Sequence, residues 1–422
     1  MINKINNYLR SRLQPGFLAM IAGCIILVGV TLAAISFSTS HEGTSAVGIP
    51  WGADFAGFYV AAQLLSEGHV DRLYDRELHA TYYHRLFPKI PADEVIPYVH
   101  PPFVASFFRS LVWLEYDYAA LIWLIISLVL YLTGLRTMLL ACPKLKSRDY
   151  WLVILLALSF EPFLFECWLG GQLSAIAFLS YALTFVFYQR NRPVLAGIAL
   201  GICFYKPTMV ILIIPLLLVA RQWKVLLGMT ITGSVLLIFS LMTTGWDANT
   251  GYVQVLLEFR QSTSSKEQLA IRIWKYVDFN HFYRLLLGAT MYQRVAFVVT
   301  SVIISLVLLL PGWWNWKTHI EERRKLWAVT LFLIPVINLY VGVYDSILGV
   351  LAVIIVTEWI LEQSQEPAGL LFRTSWAYWL LALAVAPWFS QYLAKSAGLQ
   401  VYTLLLLLLA VHAWRIRKSL SS

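Results

Sequence analysis

Long apolar runs follow one another along the 422-residue chain and are separated by short polar segments. Many of the runs approach 20 residues, about the length of a helix that crosses the hydrocarbon core of a bilayer. They lack the alternation of apolar and polar positions over about ten residues that marks the strands of a membrane β-barrel. The pattern therefore predicts an all-α polytopic membrane protein with about twelve transmembrane or re-entrant helices.

The composition agrees with this class, since 13% of the residues are charged and soluble domains contain about 25%. The net charge of +9 would suggest nucleic-acid binding in a soluble protein. Here the basic residues collect in short loops, where they orient membrane helices, and no basic and aromatic platform accompanies them. We therefore expect membrane lipids and no nucleic acid as partners. The four cysteines are scattered without metal-ligand spacing, so we expect no disulfide framework, no metal site and no cofactor.

The basic residues also predict the orientation of the chain, because cytoplasmic loops carry an excess of Lys and Arg. The first run, Phe17 to Phe37, follows a basic segment and is longer than the about 7–15 apolar residues of a cleavable signal, so we interpret it as a retained anchor. Long outer loops are predicted at about 38–102 and about 244–291. The last run ends at another basic cluster. We therefore expect a single membrane domain over residues 1–422 with both termini in the cytoplasm.

The run from Val194 to Ala220 is too long for one crossing and has basic residues at both ends. A hairpin of two short helices with Lys206-Pro207 at its outward apex places both ends in the cytoplasm. Each half would reach roughly 18–20 Å, which is less than the ~30 Å hydrocarbon core. Non-helical backbone at such depth is tolerated only where protein surrounds it. We therefore expect the apex to lie in a protein-lined cavity.

Under this topology the unusual polar residues fall on the outer side of the membrane. Asp54 follows the first run, Lys206 marks the hairpin apex, and an intramembrane charge of this kind is a functional candidate by default. Glu166 lies near the outer surface, whereas Glu161 lies deeper and is expected to be protonated or paired. The predicted site residues are Asp54, Tyr59, Tyr98, His100, Glu166, Gln172, Lys206, Tyr344 and Asp345.

Several of these residues also have a purely structural interpretation. Asp54 could cap the helix that starts at Phe55, and Lys206 could extend its ammonium group to the outer surface. His100 could donate to a phosphate or be an ordinary interface residue. Gln172 and Asp345 could each cap a helix. The shared location of these residues favours a site over a set of unrelated caps.

At these residues the sequence resembles glycosyltransferase family 87. The similar stretches follow the order of the family and are "ADFAGFYVAAQLLSEG" with "LYD", "YVHPPFVASFF", "GGQLSAIAFLSYALTF", "RPVLAGIALGICFYKPTMVILIIPLLLVARQWK" and "VYDSILGVLAVII". Members are multi-helix transferases of the C-type glycosyltransferase architecture that take mannose, or in some cases arabinofuranose, from a polyprenyl-phosphate donor. The resemblance implies that Asp54 is the catalytic base and that Lys206 serves the donor phosphate. One departure is His100, which stands where the family often has Tyr before the proline pair.

We therefore expect an inverting glycosyltransferase that moves a sugar, mannose in the first instance, from a polyprenyl-phosphate donor. Its acceptor would be a glycolipid or a glycan at the outer face of the cell membrane. No second carboxylate pairs with Asp54 as the nucleophile of a retaining enzyme would. Acceptor binding is expected in the second outer loop, where the aromatic candidates are Trp246, Tyr252, Trp274 and Tyr276.

The alternative function is that of a transporter or flippase for a lipid-linked sugar or another anion. Transporters also use broken helices near the membrane midplane, but they carry them in equivalent positions of two repeated halves. The sequence shows no such pair, and two long outer loops favour chemistry at one face. A non-catalytic membrane scaffold is the third hypothesis.

Overall fold

The computed structural model of the protein describes residues 14–45, 48–91, 94–262, 272–288, 291–316, 322–363 and 375–416. Within these ranges most residues are helical. The terminal basic residues that predict cytoplasmic termini lie outside the described residues; they are Lys4, Arg10, Arg12, Arg417 and Lys418.

The described residues before the predicted hairpin form seven α-helices and one π-helical segment. The α-helices are α1 (Pro15–Ser38), α2 (Phe55–Ser66), α3 (Arg76–Leu86), α4 (Pro102–Phe108), α5 (Tyr116–Leu140), α6 (Pro143–Leu158) and α7 (Ser174–Gln189). The π-helical segment is Pro162–Trp168 and lies between α6 and α7. Helices α2 and α3 fill much of the predicted first outer loop, which is therefore folded rather than irregular.

The hairpin region and the rest of the described chain are again helical. Their α-helices are α8 (Pro193–Gly201), α9 (Ile213–Val219), α10 (Trp223–Ser262), α11 (Phe279–Leu287), α12 (Met291–Trp314), α13 (Arg323–Ile337), α14 (Leu348–Gln363), α15 (Ser375–Ala397) and α16 (Val401–Arg415). Short 3₁₀ helices lie at Ile202–Tyr205, Pro207–Met209, Ile273–Lys275 and Val343–Ile347.

Five of the described helical segments are long and apolar enough to cross a membrane: α1, α5, α10, α12 and Val343–Gln363. The apolar stretch from Tyr150 to Trp168 is bent by 45° between α6 and the π-helical segment, and counting both as one span gives six. The bend falls at Pro162, which has no N–H to continue the hydrogen bonds of an α-helix. The all-α polytopic class is confirmed, whereas the number of about twelve crossings stays a prediction.

The chain reverses direction around Lys206, as the charge pattern predicts. A Cβ atom at Gly197 would meet the carbonyl oxygen of Val225 at 1.9 Å, and one at Gly201 would meet the side chain of Thr232 at 2.7 Å. The contacts advance in the same direction along α8 and α10, so these helices run parallel. Small residues permit this close approach between membrane helices. Two parallel neighbours require the segment between them to return, and Lys206 lies at the turn.

Pro207 determines where the outgoing helix ends. The residue before a proline is disfavoured in the α conformation, and Lys206 has φ −139° and ψ 83°. The buried backbone beyond this point still finds partners, since the Tyr181 hydroxyl donates to the Met209 carbonyl oxygen at 2.6 Å. The turn is thus embedded in protein, as its predicted depth requires.

The first part of the predicted second outer loop is helical, because α10 continues to Ser262 through a kink at Gly245. Gly245 adopts φ 67°, a conformation that glycine enters without steric cost. The amide of Asn249 donates to the Gly245 carbonyl oxygen at 2.6 Å and so satisfies the backbone at the kink. The position of the loop outside the membrane, over about 244–291, stays a prediction.

The candidate site residues lie at one end of the helices, and a group of basic residues lies at the other end. Ser174 at the start of α7 donates to Asp345, and Gln189 at its end precedes Arg190. The 16 residues of α7 span about 24 Å. Near the second end, the Tyr188 hydroxyl accepts a hydrogen bond from the indole N–H of Trp316. Other described basic residues at this end are Arg192, Arg221, Lys224, Arg323 and Arg324.

Candidate active site

Two tight glycine turns bring Asp54 against Gln172. The Asp54 N–H donates to the Gly170 carbonyl oxygen at 3.0 Å, and the Gln172 side-chain amide donates to the Asp54 carboxylate. Gly171 has φ 65°, and a Cβ atom there would meet the Gly52 carbonyl oxygen at 2.2 Å. Only glycine permits this approach, so the Gly-Gly-Gln stretch is explained by the contact between its turn and the Asp54 loop.

The Asp54 side chain does not cap the helix that follows it. Asp54 is already in the α conformation, and its carboxylate accepts no hydrogen bond from the first turn of α2. Among the described residues, the only hydrogen bond to this carboxylate comes from Gln172, and the residue is not fully buried. The interpretation of Asp54 as a helix cap is therefore not supported. One oxygen of the Asp54 carboxylate can therefore accept a hydrogen bond from a substrate hydroxyl group.

Burial raises the pKa of Asp54 above its ordinary value, and the charge of Lys275 is the largest influence in the opposite direction. Desolvation disfavours the ionised carboxylate, whereas a nearby cation favours it. A carboxyl group with a raised pKa is a stronger base than an ordinary aspartate. Asp54 is therefore an acid whose ionisation depends on both effects, in a site that is only partly accessible to water.

A buried ion pair between Lys206 and Asp345 forms the second part of the site. Asp345 is fully buried and accepts hydrogen bonds from the Lys206 ammonium, from the Ser174 hydroxyl at 2.7 Å and from the Gly342 N–H at 3.1 Å. The ammonium also lies 4.9 Å from the centre of the Tyr344 ring. Lys206 therefore does not extend to the surface, because its ammonium group pairs with a buried carboxylate and its side chain is 14% exposed.

Lys275 completes the cluster and was not predicted from the sequence. Its ammonium donates to Glu166 at 2.9 Å, and the Gln391 side-chain amide donates to the same carboxylate at 2.8 Å. A single lysine in a polar loop gives no pattern that distinguishes it from a solvated residue. The residues of this loop that were predicted to bind the acceptor include its aromatic neighbours Trp274 and Tyr276 instead.

The loop that carries Lys275 is fixed by backbone contacts to the segment before Asp345. Tyr276 and Gly342 form an isolated antiparallel bridge, and the Val277 N–H donates to the Val341 carbonyl oxygen at 3.0 Å. The Gln400 side-chain amide donates to the carbonyl oxygens of Trp274 and Tyr276 at 2.9 and 3.2 Å. The second outer loop is thereby held over the site.

The Asp54 and Asp345 parts of the site are neighbours. Gln172 donates to Asp54, and Ser174, two positions further along the chain, donates to Asp345. Tyr276 lies close to both parts, since burial raises the pKa of its hydroxyl and the charge of Asp54 raises it further, with Asp345 among the smaller influences. Its ring stacks on His281 with centroids 4.3 Å apart.

His100 lies beside the hairpin turn but is not a cation. Its Nδ1 donates to the Tyr205 carbonyl oxygen at 3.2 Å. Burial, together with the charge of Lys206, lowers the pKa of His100 to about 4. The imidazole is therefore neutral near pH 7, and its Nε2 is an acceptor in this tautomer. The predicted contribution of His100 to a phosphate is thus not one of charge.

Two predicted substrate-binding tyrosines are turned away from this cluster. The Tyr59 hydroxyl donates to the Leu114 carbonyl oxygen at 2.8 Å, and the Tyr98 hydroxyl donates to the Pro101 carbonyl oxygen at 2.7 Å. Both residues are buried, so their hydroxyls satisfy backbone groups in the first outer segment. These hydrogen bonds indicate a packing role for both tyrosines. For Tyr59, the sequence alone does not reveal which face of α2 contacts the site.

The described residues contain no group of three His, Cys, Asp or Glu side chains placed as metal ligands. The groups that meet here are instead a carboxylate held by an amide, and two lysines that each pair with another carboxylate. Such an arrangement can accept a proton at Asp54 and neutralise an anion beside the lysines.

The fold and the cluster together define a polytopic membrane protein that holds an acid, an amide and two amines at one end of its helices. The chain belongs to glycosyltransferase family 87, because the model of that family matches residues 98–341, more than half of its length. The protein is therefore a membrane-embedded glycosyltransferase, as predicted. No curated protein and no solved structure matches the chain. Asp54 precedes the matched residues, so its assignment depends on the geometry described above.

The buried pair makes a prediction for stability. Replacing Asp345 by Leu leaves the Lys206 charge without its partner, so the free energy of unfolding should fall by about 3–5 kcal/mol. The double variant Lys206→Met with Asp345→Leu should lose clearly less than the two single losses added together. Reversible unfolding in detergent micelles measures all three variants.

The same pair of changes at Arg324 and Glu362 is the matched control. This pair lies at the other end of the helices and is about one-third exposed on each side, so its removal should cost about 0–1 kcal/mol. Additive losses at positions 206 and 345 would contradict the coupling that the structure assigns to them.

Proposed function

We propose that the protein is an inverting glycosyltransferase that moves a sugar, in our proposal mannose, from a polyprenyl-phosphate donor to a lipid- or polysaccharide-linked acceptor. The observation that carries the proposal is the cluster of Asp54, Lys206 and Lys275 at one end of the helices. A carboxylate with two ammonium groups in its neighbourhood suits the transfer of a sugar away from a phosphate. The C-type architecture is part of this proposal.

Asp54 is the catalytic base in this mechanism. Its free carboxylate oxygen takes the proton of the acceptor hydroxyl while that oxygen attacks the anomeric carbon of the sugar. A positioned base of this kind contributes about 10²–10⁴-fold to the rate. Gln172 holds the other oxygen and so aims the carboxylate.

Lys206 neutralises the leaving phosphate. As the bond between the anomeric carbon and the phosphate oxygen breaks, the electron pair stays with the polyprenyl phosphate. An ammonium group has three N–H donors, and Lys206 uses one for Asp345. Lys275 is the second cation, whereas neutral His100 uses its N–H for the Tyr205 carbonyl oxygen and presents only an acceptor nitrogen, so it does not donate to the phosphate in this tautomer.

A single displacement inverts the configuration at the anomeric carbon. A retaining mechanism needs a nucleophilic carboxylate and an acid at a separation of about 5–5.5 Å. The other acids of the cluster, Glu166 and Asp345, already pair with lysines. We assign Glu166, Gln172, Tyr344 and Asp345 to substrate binding and to the positioning of the cations.

The site faces the periplasmic or extracellular side in our proposal, within the cell inner (plasma) membrane and with both termini in the cytoplasm. Support comes from the basic residues gathered at the other end of the helices, since such residues mark the cytoplasmic side. The donor and the acceptor would then meet outside the cytoplasm, where polyprenyl-phosphate sugars can be used without nucleotides.

Replacing Asp54 by Asn removes the base but keeps a side chain of the same shape. Sugar transfer should fall by about 10²–10⁴-fold while donor binding is retained. The assay incubates membranes with radiolabelled polyprenyl-phosphate mannose and separates the lipid-soluble products. Asp75→Asn is the matched control, because Asp75 caps α3 and pairs with Arg72 away from the site. Unchanged incorporation by Asp54→Asn would exclude the proposed base.

The pH dependence of transfer should report the pKa of Asp54. The base acts when ionised, so the rate falls as the pH drops through this pKa, which burial raises above the ordinary aspartate value. Lys275→Met removes the cation that lowers it, so the acid limb of the pH profile should move to higher pH. Lys395→Met is the control, since Lys395 lies over the Trp274 ring. An acid limb that stays in place or moves to lower pH would contradict this assignment.

A further inference from the structure

A buried arginine without a partner lies at the start of α12. Arg294 is in the first turn of this 24-residue helix and is 8% exposed. Its Nε has no hydrogen-bond partner, and among the described residues no carboxylate forms an ion pair with it. A buried charge normally has both a partner and hydrogen bonds, because its desolvation is otherwise too costly.

Arg294 faces α11, where a second arginine lies. The ring of Tyr283 stacks on Phe297 with centroids 5.4 Å apart, and its hydroxyl lies 2.7 Å from the Ser301 hydroxyl. Phe297 and Ser301 follow Arg294 by three and seven positions and share its helix face. Arg284 directly follows Tyr283 in α11. Both arginines therefore lie at or beside the contact between α11 and α12, close enough for the charge of Arg294 to act on Arg284.

The electrostatics at this contact are unfavourable as they stand. Burial lowers the pKa of Arg284, and the charge of Arg294 lowers it further. The first turn of a helix carries a partial positive charge, so it disfavours a cation such as Arg294 and favours an anion. Two arginines and a helix N-terminus each attract an anion. A phosphate fits best, since the planar guanidinium group can bind it through two parallel hydrogen bonds.

The surroundings indicate that this phosphate belongs to a lipid. Beyond Arg294, α12 exposes a row of large apolar side chains, and little of the helix is buried by the rest of the protein. Leu286 and Leu287 at the end of α11 are also exposed. The large apolar residues that α12 exposes beyond Arg294 include Val295, Phe297, Val299, Ile303, Ile304, Val307 and Leu308.

We propose that Arg284 and Arg294 bind the phosphate group of a membrane lipid whose hydrocarbon chains lie along α12. This site is separate from the cluster around Asp54, and it does not depend on the proposed transfer chemistry. A polyprenyl phosphate and an ordinary anionic phospholipid present the same group, so both are sources of the ligand.

The test measures thermal unfolding of the purified full-length protein in detergent. Polyprenyl phosphate, phosphatidic acid, inorganic phosphate and phosphate-free diacylglycerol are titrated separately. A ligand that binds only the folded state raises the Tm. We expect lipid phosphates to raise the Tm of the wild type and diacylglycerol to leave it unchanged. In Arg294→Met the apparent Kd for lipid phosphate should rise about 10–100-fold, as expected for a lost charged hydrogen bond.

Three further variants make the outcome decisive. Arg294→Lys keeps the charge and should keep most of the response, and Arg221→Met, which removes a cation near the other end of α12, should behave as wild type. Asp54→Asn should also keep the response, so a failure of the proposed transferase mechanism would be distinguishable. Without lipid, Arg294→Met should be at least as stable as the wild type because an unpaired buried charge is gone.

The pattern of responses identifies the source of the phosphate. A response to polyprenyl phosphate alone that weakens in Arg294→Met supports a site for the donor lipid at the two arginines, whereas a response that Arg294→Met leaves unchanged belongs to the site around Lys206. Equal responses to both lipids that weaken in Arg294→Met support a site for phospholipid headgroups. An equal response to inorganic phosphate supports a site for the free anion. Wild-type affinity of Arg294→Met for all ligands would overturn the proposal. So would an unliganded Arg294→Met that unfolds well below the wild type, since Arg294 would then have a partner within the protein.

Discussion

A charge placed among apolar helices must find a partner, because its desolvation costs several kcal/mol, and the Lys206–Asp345 pair meets this constraint at the centre of the site. Asp345 also accepts hydrogen bonds from Ser174 and Gly342. One carboxylate thus joins the hairpin turn, the start of α7 and the segment before α14. The same segment pairs with Tyr276 and so places the loop that carries Lys275. The segment that supplies the buried partner of Lys206 therefore also helps to position Lys275.

The reactive carboxylate depends on a different physical effect, the close approach of two backbone turns. Gly171 allows its turn to contact the Asp54 loop, and Gln172 then reaches the carboxylate. The hydrogen bond and Lys275 favour the ionised form, while burial opposes it. Membership of glycosyltransferase family 87 indicates that the protein transfers sugars. The balance between burial and these favourable contacts explains how Asp54, which lies outside the matched range, could serve as the base.

Much of the fold follows from the apolar runs, since helices such as α5, α7 and α16 each coincide with an apolar run of the sequence. The reversal at Lys206 was also predictable, because a proline and two basic ends leave few alternatives. Lys206 and Asp345 were predicted separately, but their pairing was not, since 139 residues separate them. Lys275 lies in no pattern, and the orientation of Tyr59 depends on how α2 rotates against its neighbours. Contacts between distant segments decide these features, and a single sequence does not encode them visibly.

The central claim is that Asp54 and Lys206 act on the same sugar phosphate from opposite sides of its scissile bond. An experimental structure of the protein with a non-transferable polyprenyl-phosphate sugar analogue tests it most directly. The account predicts the anomeric carbon beside the Asp54 carboxylate and the phosphate within hydrogen-bond distance of the Lys206 ammonium. A sugar phosphate bound at the end of the helices that carries the basic residues, or one that contacts neither side chain, would contradict it.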